Sequence, residues 1–543
     1  MSRMSDRRRN RAANLLCLLL FAITFVALLP GIRGPVNTYD EGIVTVGATR
    51  VMAGDVPYRD FWTVYGPGQF YALAAAFRLF GTSVLVERLW DTLCRSLAGL
   101  FAYFLARRFA SRRTALAAWA VETVWLGYYG NSHHYAWAYY GYPVFPAVAG
   151  SFASMWMAAR YLEQRRGRWM VASGIAVGVA ALFRQDIGIY AGVTLAAAIA
   201  WFNRLRRSTA EARPPTPGIR PALEGMPLFA VGILLVLGPV GAFLLARVPF
   251  GDLIHDLITF PISGFPRVRA LPYPRLNFPG NLPFYLPFPV LAAACAAAAA
   301  AVQARRSECV PRALCLFMLV VFALLSFNQA RIRADLIHTP SFFLPSLLLL
   351  AALPGEISRS PARIGIAGSR VLSCIAALCL GALLIRPVGD RIELLTAPAG
   401  PAAGMTRDLP RARGISVPDA TAQVVRAVQE LAAPGEPIYV GNASHDRILE
   451  SEPMIYFLAG RACATRYHEL HPGVATTAPV QREIADQLEE RQVRVLVLSG
   501  RFENLREPNG SSKSSGVRIL DDYIARHYRP EEAFGPYTIW SRI

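Results

Sequence analysis

The sequence predicts a polytopic α-helical membrane protein of about eleven spans with its N-terminus inside, followed by a C-terminal α/β domain on the outer side. Three observations carry this reading. The 543 residues are 54% hydrophobic and only 17% charged, against about a quarter charged in a soluble domain. Apolar runs of about spanning length recur along the first 385 residues. From residue 390 onward the composition is that of a soluble domain. Disorder, a disulfide mini-scaffold and an ordinary cytosolic enzyme are excluded by the same numbers.

The eleven runs are Asn14–Gly31, Asp91–Phe109, Thr114–Tyr129, Tyr139–Ala159, Trp169–Phe183, Ile187–Phe202, Met226–Ala246, Leu282–Val302, Ala313–Phe327, Leu336–Leu353 and Val371–Ile385. The first has an Arg-rich start but no clean small-residue cleavage site, so it reads as an anchor rather than a signal peptide. Arginine sets the orientation. The segments before residue 12 and at 107–113, 160–168, 204–220, 305–312 and 359–370 are arginine-rich and fall inside. The segment 130–138 has none, and Arg184 stands alone between the fifth and sixth runs. An odd number of spans then leaves the C-terminus outside. The net charge of +19 is explained by this topology, so nucleic acid is not an expected partner. Eight cysteines follow no Cys-x-x-Cys or zinc spacing and read as small core residues.

Two regions fall outside the bilayer in this reading. Residues 32–90 form a long first outer loop within a membrane domain of residues 1–389, and residues 390–543 form the outer domain. Periodicity in the latter predicts helices near Asp419–Ala432, Gln481–Arg491 and Gly516–His527, with strands at Pro437–Gly441, Val493–Leu498 and Tyr537–Trp540.

Chemistry concentrates in the first loop. Asp40 and Glu41 stand side by side just beyond the first span. A carboxylate there can act as a general base on a lipid-linked substrate whose head group lies at that depth. The same Asp40 also fits a helix N-cap before the apolar-periodic segment Ile43–Met52. Tyr58, Arg59, Asp60 and Tyr65 follow among turn-forming Gly and Pro, and the aromatics also suit a headgroup belt. Further along, His133 and His134 lie in an uncharged, aromatic-rich segment suited to a sugar ring, to the interface or, less readily, to a metal. Arg184 and Asp186 sit between two short spans, where they either bind substrate or pair with each other. Arg331 and Arg333 are arginines on the wrong side by the positive-inside rule. Guanidinium forks onto phosphate oxygens, and Asp335 and His338 can position that pair. The alternative is a structural ion cluster. Asp252 and Asp256 share one face of an amphipathic interfacial helix.

The runs Tyr39-Asp40-Glu41-Gly42, Pro57-Tyr58-Arg59-Asp60-Phe61 and Tyr65-Gly66-Pro67-Gly68 resemble the glycosyltransferase C superfamily. More narrowly they are similar to its bacterial family-39-like branch, related to protein O-mannosyltransferases and aminoarabinose transferases. The resemblance implies a sugar donor on a polyprenyl phosphate, Asp40 as catalytic base, and Glu41 as its neighbour or an acceptor-orienting group. Outer-facing arginines, here Arg331, Arg333 and Arg184, would hold the lipid phosphate. Tyr58, Arg59, Asp60, Tyr65, His133, His134, Asp186, Asp335 and His338 become candidate substrate contacts. No cofactor is required, though a divalent metal is compatible. The expected partners are the donor, membrane lipids and an acceptor that is lipid, glycan or protein. The expected location is a bacterial cytoplasmic membrane with the active site facing out. Rival readings are a lipid-linked glycan polymerase or ligase, and a transporter or flippase.

Overall fold

A computed structural model describes residues 2–129, 143–208, 224–278, 280–303, 309–357, 365–396 and 403–543. Its first part is helical: α1 Ser2–Leu28, α2 Asp40–Ala53, α3 Gly68–Phe80, α4 Val84–Phe109, α5 Arg112–Tyr128, α6 Val144–Gln164, α7 Gly167–Phe183, α8 Gln185–Ser208 and α9 Met226–Leu245. Then come α10 Phe250–Ile254, a π-helical stretch His255–Gly264, α11 Phe265–Arg269, α12 Leu282–Tyr285, α13 Pro287–Gln303, α14 Val310–Ile332, α15 Pro340–Ile357 and α16 Gly365–Thr396. Among the described residues each expected apolar run lies largely on helix, although the eighth is broken between α12 and α13 before Pro287 and the tenth opens on a 3-10 turn at Leu336–His338. Among the described residues five helices are long and apolar enough to cross a membrane: Gln185–Leu205, Met226–Leu245, Leu282–Gln303, Val310–Ile332 and Arg370–Thr396.

Helices α4 to α8 and α13 to α15 surround a core of Leu, Phe, Val and Ala side chains. Small residues set the closest crossings, as packing inside a membrane favours. A Cβ on Gly174 of α7 would sit 2.1 Å from the Phe229 carbonyl oxygen of α9, and one on Gly232 of α9 would sit 2.1 Å from that of Val171. In the Ala-rich helix α13, Ala294 and Ala298 are the alanines turned inward.

The Tyr65-Gly66-Pro67-Gly68 run has a packing reason. A Cβ on Gly66 would meet the Leu182 carbonyl oxygen at 2.2 Å, and one on Gly68 would meet it at 2.9 Å. These glycines seat the start of α3 on the end of α7. Gly66→Ala is expected to lower thermal stability in detergent by about 1–3 kcal/mol, the usual cost of overpacking. Gly241→Ala on α9, with open space around it, should leave it unchanged. Equal melting temperatures for the two variants would refute the packing role.

The C-terminal α/β domain, called the outer domain after its expected side, contains α17 Asp419–Leu431, α18 Met454–Ala459, α19 Ala478–Glu490 and α20 Ile519–His527. Strands β1 Met405–Thr406 and β2 Val417–Pro418 form a small antiparallel pair. The main sheet orders β3 Tyr439–Asn442, β4 Val495–Ser499, β6 Tyr537–Arg542 and β5 Tyr528–Phe534 as β3-β4-β6-β5. Only β3 and β4 run parallel.

The expected division at residue 389 is not where the packing divides. Phe61, Phe70 and Leu73 of the first loop share one core with Val424, Ile455 and Val497 of the outer domain. Backbone bonds join the two: Val36 N–H to Ser416 O at 2.9 Å, Met454 N–H to Thr38 O at 3.1 Å and Trp62 N–H to Arg466 O at 3.1 Å. Gly42 permits the approach, because a Cβ there would lie 2.4 Å from the Met454 nitrogen. The loop is therefore held between the helical bundle and the outer domain.

Candidate active site

The start of α2 is organised by Asn37. Its Oδ1 accepts the backbone N–H groups of Tyr39 at 3.0 Å and Asp40 at 2.9 Å. An Asn-centred turn of this kind satisfies donors at a helix start. Asp40 is the first residue of the helix, and no side-chain cap bond is made from the position before it. The alternative reading of Asp40 as the N-cap therefore gives way, and its carboxylate is left for other work. Asp40 is half-buried, and its Oδ2 accepts a bond from Asn37 Nδ2 at 3.1 Å. Burial, with the nearby Glu450 carboxylate, raises its pKa to about 7. The Asn37 bond and the charges of Arg269 and Arg333 pull the other way. A carboxylate titrating near neutrality suits a general base.

Glu41 is placed differently from expectation. It is wholly buried, and both its oxygens are taken by Arg88 of α4, at 2.7 Å from Nε and 2.9 Å from Nη2. It also accepts the Asn37 backbone N–H at 2.7 Å. Arg88 in turn donates to the carbonyls of Ile32, Gly34 and Pro35. Glu41 thus anchors the loop rather than facing substrate. The expectation of a catalytic or acceptor-orienting Glu41 is corrected, because its lone pairs are already committed.

The outer domain brings acids to the same place. Tyr39 Oη donates to Glu469 Oε1 at 3.2 Å. Burial pushes the Glu469 carboxyl up to about 8, with the Tyr39 bond opposing. Glu507 accepts from Arg333 Nη2 at 2.7 Å and Nη1 at 3.1 Å. Arg333 Nε also meets Asp335 at 3.1 Å, and Asp335 lies 2.6 Å from His338 Nδ1. Buried Arg269 reaches the Leu449 carbonyl at 3.0 Å, and its own carbonyl accepts from Arg333. Arg269, Glu450 and Glu507 escaped the sequence reading, though Arg269 is one of four arginines between residues 247 and 281. Glu469 stands in the polar and aromatic run Thr465–Gly473, a candidate cover for the site or acceptor contact from sequence alone.

Asp335 and His338 are thus gathered with Arg333, as the sequence suggested. Arg184 and Asp186 form a two-bond ion pair, at 3.0 and 2.7 Å, across the turn from α7 to α8. Gln329 of α14 donates to the same Asp186 at 3.2 Å. Arg331 is exposed and donates to Asn328 Oδ1 at 2.9 Å. Four first-loop candidates are engaged in the loop's own structure. Tyr58 is fully buried, with a strained φ of 71° and its hydroxyl on the Tyr65 carbonyl at 2.7 Å. Tyr65 is half-buried beside Gly66. Arg59 pairs with Asp60 at 2.8 Å, and Asp60 holds the Val56 N–H at 2.7 Å. These contacts shape the first loop, which turns back toward the site: Gln185, between Arg184 and Asp186, donates to the Val64 carbonyl at 3.0 Å, and the four stay candidate substrate contacts. His133 and His134 lie outside the described residues.

Asp256 is buried and bonded to exposed His255 at 2.8 Å, while Phe250, Ile258 and Ile262 are exposed. The segment 250–264 is thus amphipathic, as expected, but largely π-helical. Among the described residues no group of three His, Cys, Asp or Glu side chains gathers as a metal site.

A helical bundle, an acid at the start of a loop helix and a C-terminal α/β domain packed on that loop are the features to set beside known proteins. Residues 64–218 match the family described as dolichyl-phosphate-mannose-protein mannosyltransferase. The fold is similar to that of the archaeal oligosaccharyltransferase AglB from Archaeoglobus fulgidus, solved with an inhibitory peptide and a dolichol-phosphate. That likeness has a TM-score of 0.52 at 12% identity, over 98% of this chain and 74% of AglB. It is also similar to apo ArnT from Cupriavidus metallidurans, with a TM-score of 0.50 at 15% identity over 98% of each chain. No curated protein sequence matches the chain. These likenesses give the chain a fold shared with AglB and ArnT, and a stretch at residues 64–218 that matches the mannosyltransferase family model.

Proposed function

We propose that this protein transfers a sugar from a polyprenyl-phosphate donor to an acceptor hydroxyl at the outer face of a bacterial cytoplasmic membrane. Asp40 carries the reading: a half-buried carboxylate titrating near 7, set at a helix start outside the apolar runs. The Asp40 carboxylate takes the proton of the acceptor hydroxyl as its oxygen attacks the anomeric carbon. The bond from that carbon to the phosphate oxygen breaks, and polyprenyl phosphate leaves with the electron pair. One displacement inverts the anomeric centre. No metal is required for this step.

Of the three arginines expected to hold the phosphate, Arg331 is the exposed one and serves best as first contact. Arg184 and Arg333 are neutralised by Asp186 and by Glu507 with Asp335, so they set the field around the leaving group. Eleven spans with the N-terminus inside put this cluster on the outer side, which arginine placement supports. Dolichol-phosphate in AglB, a protein of similar fold, supports a lipid-phosphate donor.

The test is glycan output. Surface glycans, glycolipids and glycoproteins are profiled by mass spectrometry in cells with and without the gene. One glycoform should vanish without it and return on complementation, and the missing mass names the sugar. Unchanged profiles across all three classes would overturn the reading.

A further inference from the structure

A cavity of about 610 Å³ lies away from the candidate active site, between the C-terminal end of α2, helix α3 and the outer end of α9. Helix α2 has 14 residues, which separates the cavity from Asp40 by roughly 20 Å at about 1.5 Å per residue. Its walls are largely apolar, with Val51, Ala74, Ala75 and Phe243 among them. Two arginines on different elements, Arg78 and Arg247, stand at its margin. Neither makes an ion pair among the described residues. Arg78 donates only weakly to the Met52 carbonyl at 3.4 Å, and the Arg247 guanidinium lies 4.2 Å over the Phe243 ring. The one acid on the lining, Asp55, is already paired with Arg50 at 2.7 Å. The lining therefore carries two uncompensated positive charges.

The surroundings are those of a lipid-facing surface. Leu79 and Phe80 at the end of α3 are 75% and 76% exposed, and Leu245 and Phe250 beside α9 are exposed as well. Helix α9 is among the helices apolar enough to span, and few of its residues are buried. A cavity at such a helix end opens at headgroup depth. Its occupant there needs an apolar chain for the walls and an anionic group for the arginines.

We propose that this cavity binds an anionic glycerophospholipid, its phosphate held between Arg78 and Arg247 and one acyl chain laid along Val51, Ala75 and Phe243. The lipid joins the α2–α3 pair to α9. The outer-side placement rests on the topology proposed above, but binding itself does not depend on transferase activity.

The experiment uses the full chain, delipidated in mild detergent and titrated with phosphatidylglycerol, phosphatidylcholine or undecaprenyl phosphate. Native mass spectrometry reads the adducts. Phosphatidylglycerol should be retained in preference to phosphatidylcholine, and undecaprenyl phosphate, the leaving group of the proposed reaction, serves as the control for the active site. The double substitution Arg78→Gln with Arg247→Gln should weaken retention by roughly tenfold or more, as expected for two lost arginine–phosphate contacts. Arg529→Gln, on an exposed strand of the outer domain, should change nothing. Ala75→Trp keeps both arginines and fills the space from an exposed position, so it should also displace the lipid without costing the fold. Three results would overturn the proposal: unchanged phosphatidylglycerol retention in the double variant, equal retention of phosphatidylcholine by the wild type, or a loss of undecaprenyl phosphate in the double variant as large as that of phosphatidylglycerol. Transfer activity is not the readout, so failure here and failure of the transferase reading are told apart.

Discussion

Asp40→Asn is expected to slow sugar transfer by orders of magnitude while leaving the protein folded. The amide keeps an oxygen to accept the Asn37 Nδ2 bond, and Asn37 still supplies the turn that starts α2. What is lost is the capacity to take a proton, which costs about 10²- to 10⁴-fold in rate. The wild-type enzyme should gain activity as pH rises through about 7, because the base works only when ionised. Stability runs the other way. The ordinary Asp40 value of 3.8 is raised to about 7 on folding, so the folded state binds the extra proton between those values. By linkage, this group makes the wild type lose stability as pH rises from about 4 to about 7. Asp40→Asn removes that slope, so the variant should be at least as stable as wild type at pH 8. Glu469, also raised by burial, adds a slope of the same sign that both proteins share. Initial rates from pH 5.5 to 8.5 and thermal unfolding in detergent check these statements. Turnover by the variant at the wild-type rate, or a wild-type rate flat across neutrality, would sink the assignment of Asp40.

The sequence exposes those parts of the fold whose signal is local. Apolar runs mark the helices because a bilayer demands length and composition together. Strands β3 and β4 are short, wholly buried runs, β4 built mainly of Val and Leu, and are legible from that local apolar pattern. Helix α3 was missed because Gly66-Pro67-Gly68 reads as a turn, whereas here it starts a helix pressed on the Leu182 carbonyl. Strand β5 was missed because Tyr-Arg-Pro-Glu-Glu-Ala-Phe is mostly exposed at a sheet edge, with an irregular register at Pro530. The site divides along the same line. Asp40 stands out within its own loop. Glu450 and Glu507 arrive from more than 400 residues away in the chain with no local pattern to announce them, and Glu469 shows only as one member of a polar and aromatic run. Position alone made Glu41 look like a partner of Asp40; only the fold supplies Arg88.

Breaking the Glu41–Arg88 pair is expected to cost more stability than any other single change considered. Both side chains are fully buried, and Arg88 also ties down three carbonyls of the chain leading into α2. Arg88→Met leaves the Glu41 carboxylate buried with one backbone N–H for company. An uncompensated buried charge of this kind costs about 3–5 kcal/mol. Little folded protein should survive size-exclusion chromatography in detergent. Glu41→Gln should be milder, since the amide oxygen still accepts from Arg88 and the three carbonyls remain bonded. The double variant Glu41→Met with Arg88→Met removes both charges together, and exchanging a buried pair for apolar side chains of similar volume is often neutral. Its folded yield should therefore exceed that of Arg88→Met. The double variant also separates structure from chemistry. If Glu41 only anchors the loop, the folded fraction of that protein keeps measurable transfer with the same dependence on pH. A well-folded double variant with no transfer at all would return Glu41 to the reacting centre.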